Sequence, residues 1–409
     1  MACKGPLSGY RVLDMTQFES GTSCTETLAW LGAEVLKVER PGRGELGRYS
    51  MANPGVDTYG FLIMNMNKKS ITCNAKDPQG LKLLEELLAK CDVVVENMGP
   101  GSMDHLGLTY EHCKEINPKI IYASLKGFSQ VGPYKDYPAF DPIATHTGVM
   151  VSATGLPERP IKCGISVADS GTGQMLALSI IAALLQRERE GIGQRVDVAM
   201  QDFMIGLSRS QWEPYYNNGK VPNRRVANGM PLEDVGPSDT YPCKPFGLND
   251  YVHIYCSRAP GSKQWDNLCE AIGRPDLKQD VCPEMATPRL RFKNREICDG
   301  AIKEWLKDHD KFEAMEILCK ADVPAGALLS VDDITNDPQY YVPERKMMVE
   351  IDHPQHGKVK VPGFAPRMSA VTVEYEPSPE LGGSNKEIYG DLLGYTEEQM
   401  AEMKKNRTI

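Results

Sequence analysis

The sequence predicts an α/β fold with a mainly parallel, doubly wound sheet in a large domain, joined to a smaller α/β domain. Short apolar runs of strand character alternate with stretches of helical periodicity through the first half of the chain. Polar or glycine-bearing turns close each run. At 409 residues, the chain is longer than one hydrophobic core commonly organises, which predicts two domains.

Tyr10 to Met15 predicts a strand, Thr22 to Leu31 a helix, and Ala33 to Val38 a second strand, which together make a β-α-β unit. The pattern recurs with a helix over Leu81 to Leu88 and a strand over Asp92 to Val95. A short helix over Tyr110 to Glu115 and a strand over Ile120 to Leu125 follow. Strands interleaved with helices imply parallel pairing, because the chain must cross back over the sheet between strands. The strands run into the turns Glu39-Arg40-Pro41-Gly42, Glu96 to Gly101 and Lys126 to Ser129. Folds of this type bind ligands just beyond those carboxyl ends.

Gly173 to Arg189 reads as a long buried helix; Gly191 to Gln194 then turns into a strand over Arg195 to Val198, and another helix starts near Gln201. Beyond residue 215 the texture changes, with Asn, Gly and Pro dense from Asn217 to Pro237. A strand over Tyr251 to Tyr255 and helices around Trp265 to Ile272 and Ile302 to Trp305 predict a small α/β unit. Val349 to Val361 reads as a hairpin. The expected division is 1–215, first part of the large domain; 216–330, small domain with linkers; and 331–409, a C-terminal part returning to the large domain.

Composition excludes several classes of function. Hydrophobic residues make up 41% and charged residues 25%, ordinary values for a globular chain. The formal net charge of -9, with no block of Lys and Arg, gives a nucleic acid or an anionic membrane little to bind. Twelve cysteines without a CxxC pair, and an N-terminus without a long apolar stretch, predict reduced thiols in a cytoplasmic protein rather than disulfides or structural zinc. The most apolar stretch, near Met175 to Leu185, is too short to span a membrane.

Neither a GxxxxGK[ST] loop nor a GxGxxG turn is present; the first turn carries Glu19-Ser20-Gly21-Thr22 instead. The pair His353 and His356 sits in a Pro- and Gly-bearing turn, read as a solvated hairpin rather than a metal site. Ser170 has no GxSxG elbow and no His partner, and Cys24 and Cys163 read as structural thiols before nucleophiles. The remaining candidate is Ser166 to Gly173, with Asp169 at an apparent strand end before small residues that open a helix. Asp169 is there either a helix N-cap or a reactive carboxylate, with the small residues clearing room for a bulky ligand. Spacing alone leaves both open.

Leu31 to Glu39, Asn65 to Ser70, Val95 to Gly101, Ala123 to Phe128, Ala168 to Gly173, Gly191 to Val196 and Leu392 to Tyr395 together resemble the class III coenzyme A transferases, the family of formyl-CoA and carnitine-CoA transferases. The resemblance runs over nearly the whole chain. It implies a Rossmann-like large domain built from both chain ends, a small domain, and a homodimer of interlocked rings. It implies no permanently bound cofactor, with acyl-CoA and a carboxylic acid as substrates. Asp169 falls on the family's catalytic aspartate, and Asp141 aligns with a carboxylate that assists turnover in the formyl-CoA branch. Gln17 and Glu19 stand where that branch has a His and a Gln. Arg40, Asn97, Met98 and Gly99 are implied coenzyme A contacts, and His105 stands where relatives often present Arg.

The branch's glycine run corresponds here to Ala227 to Asp234, which holds a single glycine. That departure argues against oxalate or formate specificity. The α-methylacyl-CoA racemases share the resemblance but need a His for proton transfer, and Phe140 stands at that position. A non-catalytic coenzyme A-binding protein is the remaining alternative, in which Asp169 would be dispensable.

Overall fold

The structure, a computed structural model, describes residues 5–49, 55–217, 219–220, 225–229, 234–257 and 262–409. It divides into one unit of Met1–Met150, Cys163–Ser208 and Pro338–Ile409, and a second of Val151–Lys162 and Arg209–Asp337.

The first unit is built on a six-stranded parallel sheet. Its strands are β1 (Arg11–Met15), β2 (Glu34–Glu39), β3 (Lys69–Thr72), β4 (Val93–Glu96), β5 (Ile121–Lys126) and β6 (Gln194–Ala199), in the order β3-β2-β1-β4-β5-β6. The central strands are short apolar runs because both faces are covered. Val12, Val35, Val93 and Val95 point into one core, and Leu13, Leu36 and Val94 into the other. Each such side chain, fully buried, contributes about 1.5–3 kcal/mol.

The first core is closed by α1 (Ser20–Trp30), α4 (Asp141–Thr147), α5 (Val167–Glu190) and α6 (Met200–Leu207). The second is closed by α2 (Pro78–Leu88) and α3 (Tyr110–Ile116), together with Tyr389 and Met403 from near the chain end. The antiparallel hairpin Met348–His353 and Gly357–Pro362 packs Val349, Ile351 and Val361 on Leu62 and Met66. The second unit has a three-stranded antiparallel sheet, with Tyr251–Tyr255 between Ser238–Pro242 and Ala325–Ala327. Its core gathers Tyr241, Ile254, Trp265, Ile302 and Leu318.

Four features differ from the sequence expectations. Strand β3, Lys-Ser-Ile-Thr, is a short polar strand at the sheet's edge: Lys69 pairs with Glu34 and Glu387, and the buried Ser70 donates to Glu39. Helix α5 begins at Val167, so Asp169 stands inside the helix and not at a strand end. That helix is buried along one side only, with Leu178 and Leu185 exposed, and its 24 residues are long and apolar enough to cross a membrane. His353 is buried rather than solvated, with Nε2 3.0 Å from Ser378 Oγ.

Candidate active site

The site is organised where β1 hands over to α1. Asp14, buried on β1, accepts hydrogen bonds from Thr16 N and from Thr25 Oγ1, and its Oδ2 lies 3.2 Å from Lys68 Nζ. Burial alone would raise its pKa, but Lys68, Lys37 and the hydrogen bonds from Thr16 and Thr25 together outweigh burial and hold it at about 2. This buried pair fixes the start of the turn Gln17-Phe18-Glu19, in which the exposed Phe18 adopts a left-handed backbone, φ 57°. Asn97, at the end of β4, fixes the rest. Its Oδ1 accepts from Gln17 N at 2.8 Å, and its Nδ2 donates to Gln17 O at 2.8 Å and to Ser20 Oγ at 3.0 Å.

Asp169 lies in the first turn of α5, and it is not that helix's cap. The free N–H groups at the helix start are taken by Asp141, a buried carboxylate at the start of α4. Its Oδ2 accepts from Ala168 N at 2.8 Å and from Asp169 N at 3.3 Å. Asp141 thus takes the capping role the sequence left open for Asp169, and among the described residues nothing engages the Asp169 carboxylate. Glu19 completes the cluster, its Oε1 accepting from Ser170 Oγ at 2.6 Å. Burial first, then Glu19 and Asp141, push the Asp169 carboxyl up to about 7. Among the described residues no cation pairs with any of the three carboxylates.

The small residues after Asp169 serve packing. A Cβ on Gly171 would sit 2.5 Å from the Phe203 ring, and one on Gly173 would sit 2.2 Å from Ser23 Oγ and 2.4 Å from Ser20 O. They let α1 and Phe203 approach α5, which is why the helix-opening run is glycine-rich.

A cleft of about 990 Å³ opens beyond the carboxyl ends of β3, β2, β1 and β4, where the strand order reverses. Of the residues expected to contact ligand, Gln17, Arg40, Met98, Gly99 and His105 line it. His105 Nδ1 is 2.6 Å from Gly101 O, and Met98 O accepts from Lys126 Nζ at 2.6 Å. Asn97 is turned inward on the Gln17 turn instead. Gln17 on the cleft and Glu19 on Ser170 connect the cleft to the Asp169 cluster through one turn. Sequence reasoning missed Arg43, Lys76 and Arg407, which also line the cleft. Lys76 follows the overlooked strand β3, and no local signal marks Arg407. Residues 230–233 of the expected shielding segment lie outside the described residues.

Comparison with known proteins gives this site a context. The family described as CoA-transferase family III matches residues 7–385. The chain is 38% identical to a formyl-CoA:oxalate CoA-transferase of Bradyrhizobium diazoefficiens, over 98% of this chain and 97% of that one. It is 39% identical to the enzyme of the same name from Streptomyces coelicolor, over 98% and 99%. A CAIB/BAIF family protein from Brucella suis, of known crystal structure, has a TM-score of 0.83 at 31% identity, covering 95% of this chain and 100% of that one. The parallel sheet, the cleft at its reversal point and the full-length matches agree: the chain belongs to CoA-transferase family III and is a CoA-transferase.

Proposed function

We propose that the protein transfers coenzyme A from an acyl-CoA donor to a carboxylic acid acceptor, with Asp169 as the covalent nucleophile. The observation that carries this reading is the environment of Asp169: a partly buried carboxylate, unpaired with any cation among the described residues, whose own helix start is capped by Asp141. A carboxylate so placed is desolvated and reactive and needs no general base.

The Asp169 carboxylate attacks the donor thioester carbonyl, forming a mixed anhydride and expelling the coenzyme A thiolate. The thiolate attacks the Asp169 carbonyl of the anhydride, which releases the donor acid and leaves an aspartyl thioester. The acceptor carboxylate attacks that thioester, giving a second anhydride and free thiolate. Attack of the thiolate on the acceptor carbonyl yields the new acyl-CoA and restores the Asp169 carboxylate. The thioester bond energy is conserved throughout, so water must be kept from the intermediates. Arg40, Met98, Gly99 and His105 hold coenzyme A in the cleft, and Gln17 lies between it and the reacting carboxylate.

Glu19 bears on the acceptor. The relatives are named for formyl-CoA and oxalate, whereas a carboxylate hydrogen-bonded to the residue after Asp169 repels a second negative charge. Monocarboxylates are therefore the favoured acceptors. The protein acts as a homodimer, a reading supported by Met175, Leu178 and Leu185, which lie exposed on α5.

The test is to incubate the protein with acyl-CoA donors, quench with hydroxylamine or borohydride, and map modified residues by peptide mass spectrometry. Modification of Asp169 alone, with an inert Asp169→Ala variant, is the expected result. Deuterium exchange at the α-carbon of a branched acyl-CoA without any trapped aspartate would sink the reading in favour of proton transfer.

A further inference from the structure

Arg407 follows the helix Glu397–Lys405 and has a left-handed backbone, φ 60°. Its N–H donates to Lys404 O at 3.1 Å and the next N–H, of Thr408, to Met403 O at 2.9 Å. These are the two bonds of a Schellman motif, with Arg407 at the position that glycine normally fills. A side chain there costs energy that glycine avoids, so the fold alone gives no reason for arginine.

The segment is fixed against the loop after β3. Thr408 is fully buried, its carbonyl accepts from Asn74 N at 2.8 Å, and its hydroxyl donates to Asp77. Ile409 is buried in the core beneath the sheet. Arg407 thereby lines the same cleft as Lys76, Arg40, Arg43 and His105. Parallel pairing of Glu39 with Thr72 sets Arg40, one residue past β2, beside the chain that leads to Lys76.

The acids that line the cleft are all engaged internally. Glu39 is held by Arg48 at 2.6 and 2.7 Å and by Ser70 at 2.6 Å. Glu45 lies 3.2 Å from Lys37 Nζ, and Asp77 receives Thr408. Among the described residues, Arg40, Arg43, Lys76 and Arg407 have no ion-pair partner, although Arg43 lies over the Tyr49 ring at 4.9 Å. Cations from three separate segments thus line one cleft, and among the described residues none of them is within ion-pair distance of a carboxylate.

We propose that Arg407 is a phosphate-binding residue for the nucleotide end of coenzyme A, placed in the cleft by its left-handed helix-end conformation. This rests on the reading that the cleft holds coenzyme A. A guanidinium suits the task because its planar fork of donors matches phosphate oxygens.

Calorimetric titration of the full chain with coenzyme A and with 3′-dephospho-coenzyme A tests it, using wild type, Arg407→Gly, Arg407→Lys and Lys404→Ala. Arg407→Gly should raise the Kd for coenzyme A about ten-fold, the loss expected for one charge-assisted phosphate contact. Its melting temperature should not fall, since glycine suits the backbone there. Arg407→Lys should recover part of the affinity, and Lys404→Ala, which removes an exposed cation from the same helix, should stay within about two-fold of wild type. A defect seen with coenzyme A but not with the dephospho form assigns the contact to the 3′-phosphate; an equal defect with both assigns it to the diphosphate. Binding by Arg407→Gly equal to wild type overturns the inference and leaves the cleft assignment standing. A wild-type protein that binds neither ligand overturns the cleft assignment and the inference with it.

Discussion

Asp169 sits in the first turn of α5, where burial, Glu19 and Asp141 hold its carboxyl at about 7. The nucleophilic form is the ionised one, so a raised pKa makes the rate of aspartate modification climb as pH rises through about 7 and level off above it. Asp141 contributes to this value by its charge and to the helix by its two accepted N–H bonds. Asp141→Asn keeps an oxygen for those bonds while removing the charge. The variant should fold as the wild type does, and its pH–rate midpoint should fall below that of the wild type. Stopped-flow measurement of coenzyme A release between pH 5 and 9 checks both; an unmoved midpoint would show that Asp141 acts through the cap alone. The sequence marked both aspartates as site residues. It could not apportion their roles, because that depends on α4 bringing Asp141 to the start of a helix that follows it in the chain.

At the scale of the element, α1 and α5 form the seam that carries the site. Ser20 to Ala29 are buried without exception, and the contact surface is made of small residues: Ser20, Ser23 and Gly173. Thr27 Oγ1 and Gln174 Oε1 meet across it at 3.1 Å. Gly173→Ala would place a methyl group against the α1 backbone and Ser23, forcing the helices apart at a cost of about 2–3 kcal/mol. Because Glu19 and Gln17 hang from the start of α1, the same shift should move them away from Asp169 and cut turnover at least ten-fold. Thermal denaturation and steady-state rates measured together check this, and a variant with native stability and rate would contradict the close packing. The β-α-β alternation was legible for strands β1, β2, β4 and β5, whose apolar runs are dictated by burial on both faces, and for edge strand β6 through its alternating Val196 and Val198. Edge strand β3 was not, since it is four residues long with one apolar residue: Lys69 pairs with Glu34 and Glu387, and the buried Ser70 donates to Glu39.

At the scale of the whole molecule, a net charge of -9 coexists with a cleft faced by unpaired cations, so the anion-binding character is local and invisible in the total. The exposed apolar side chains of α5 belong to the same scale. Met175 and Leu178 lie one helical turn apart, and Leu185 is a further two turns along. In the proposed homodimer, a second copy of the chain would cover the exposed apolar side of this 24-residue helix. Sedimentation analysis should give a dimer for the wild type, and Leu178→Glu with Leu185→Glu should shift the population toward monomer. A wild-type monomer at micromolar concentration would rule out the homodimer.

Taken by itself, the sequence determined the parallel α/β architecture of the sheet unit, because burying both faces of a strand demands short apolar runs and crossing between parallel strands demands helices. It also determined the family, through peptide pieces spread from Leu31 to Tyr395. Only the tertiary structure decided which aspartate caps the helix, why Gly171 and Gly173 are glycine, and that Arg407 lines one cleft with Arg40 and Lys76. Each of these depends on groups distant in sequence being brought to one place in the fold, and local periodicity carries no trace of that.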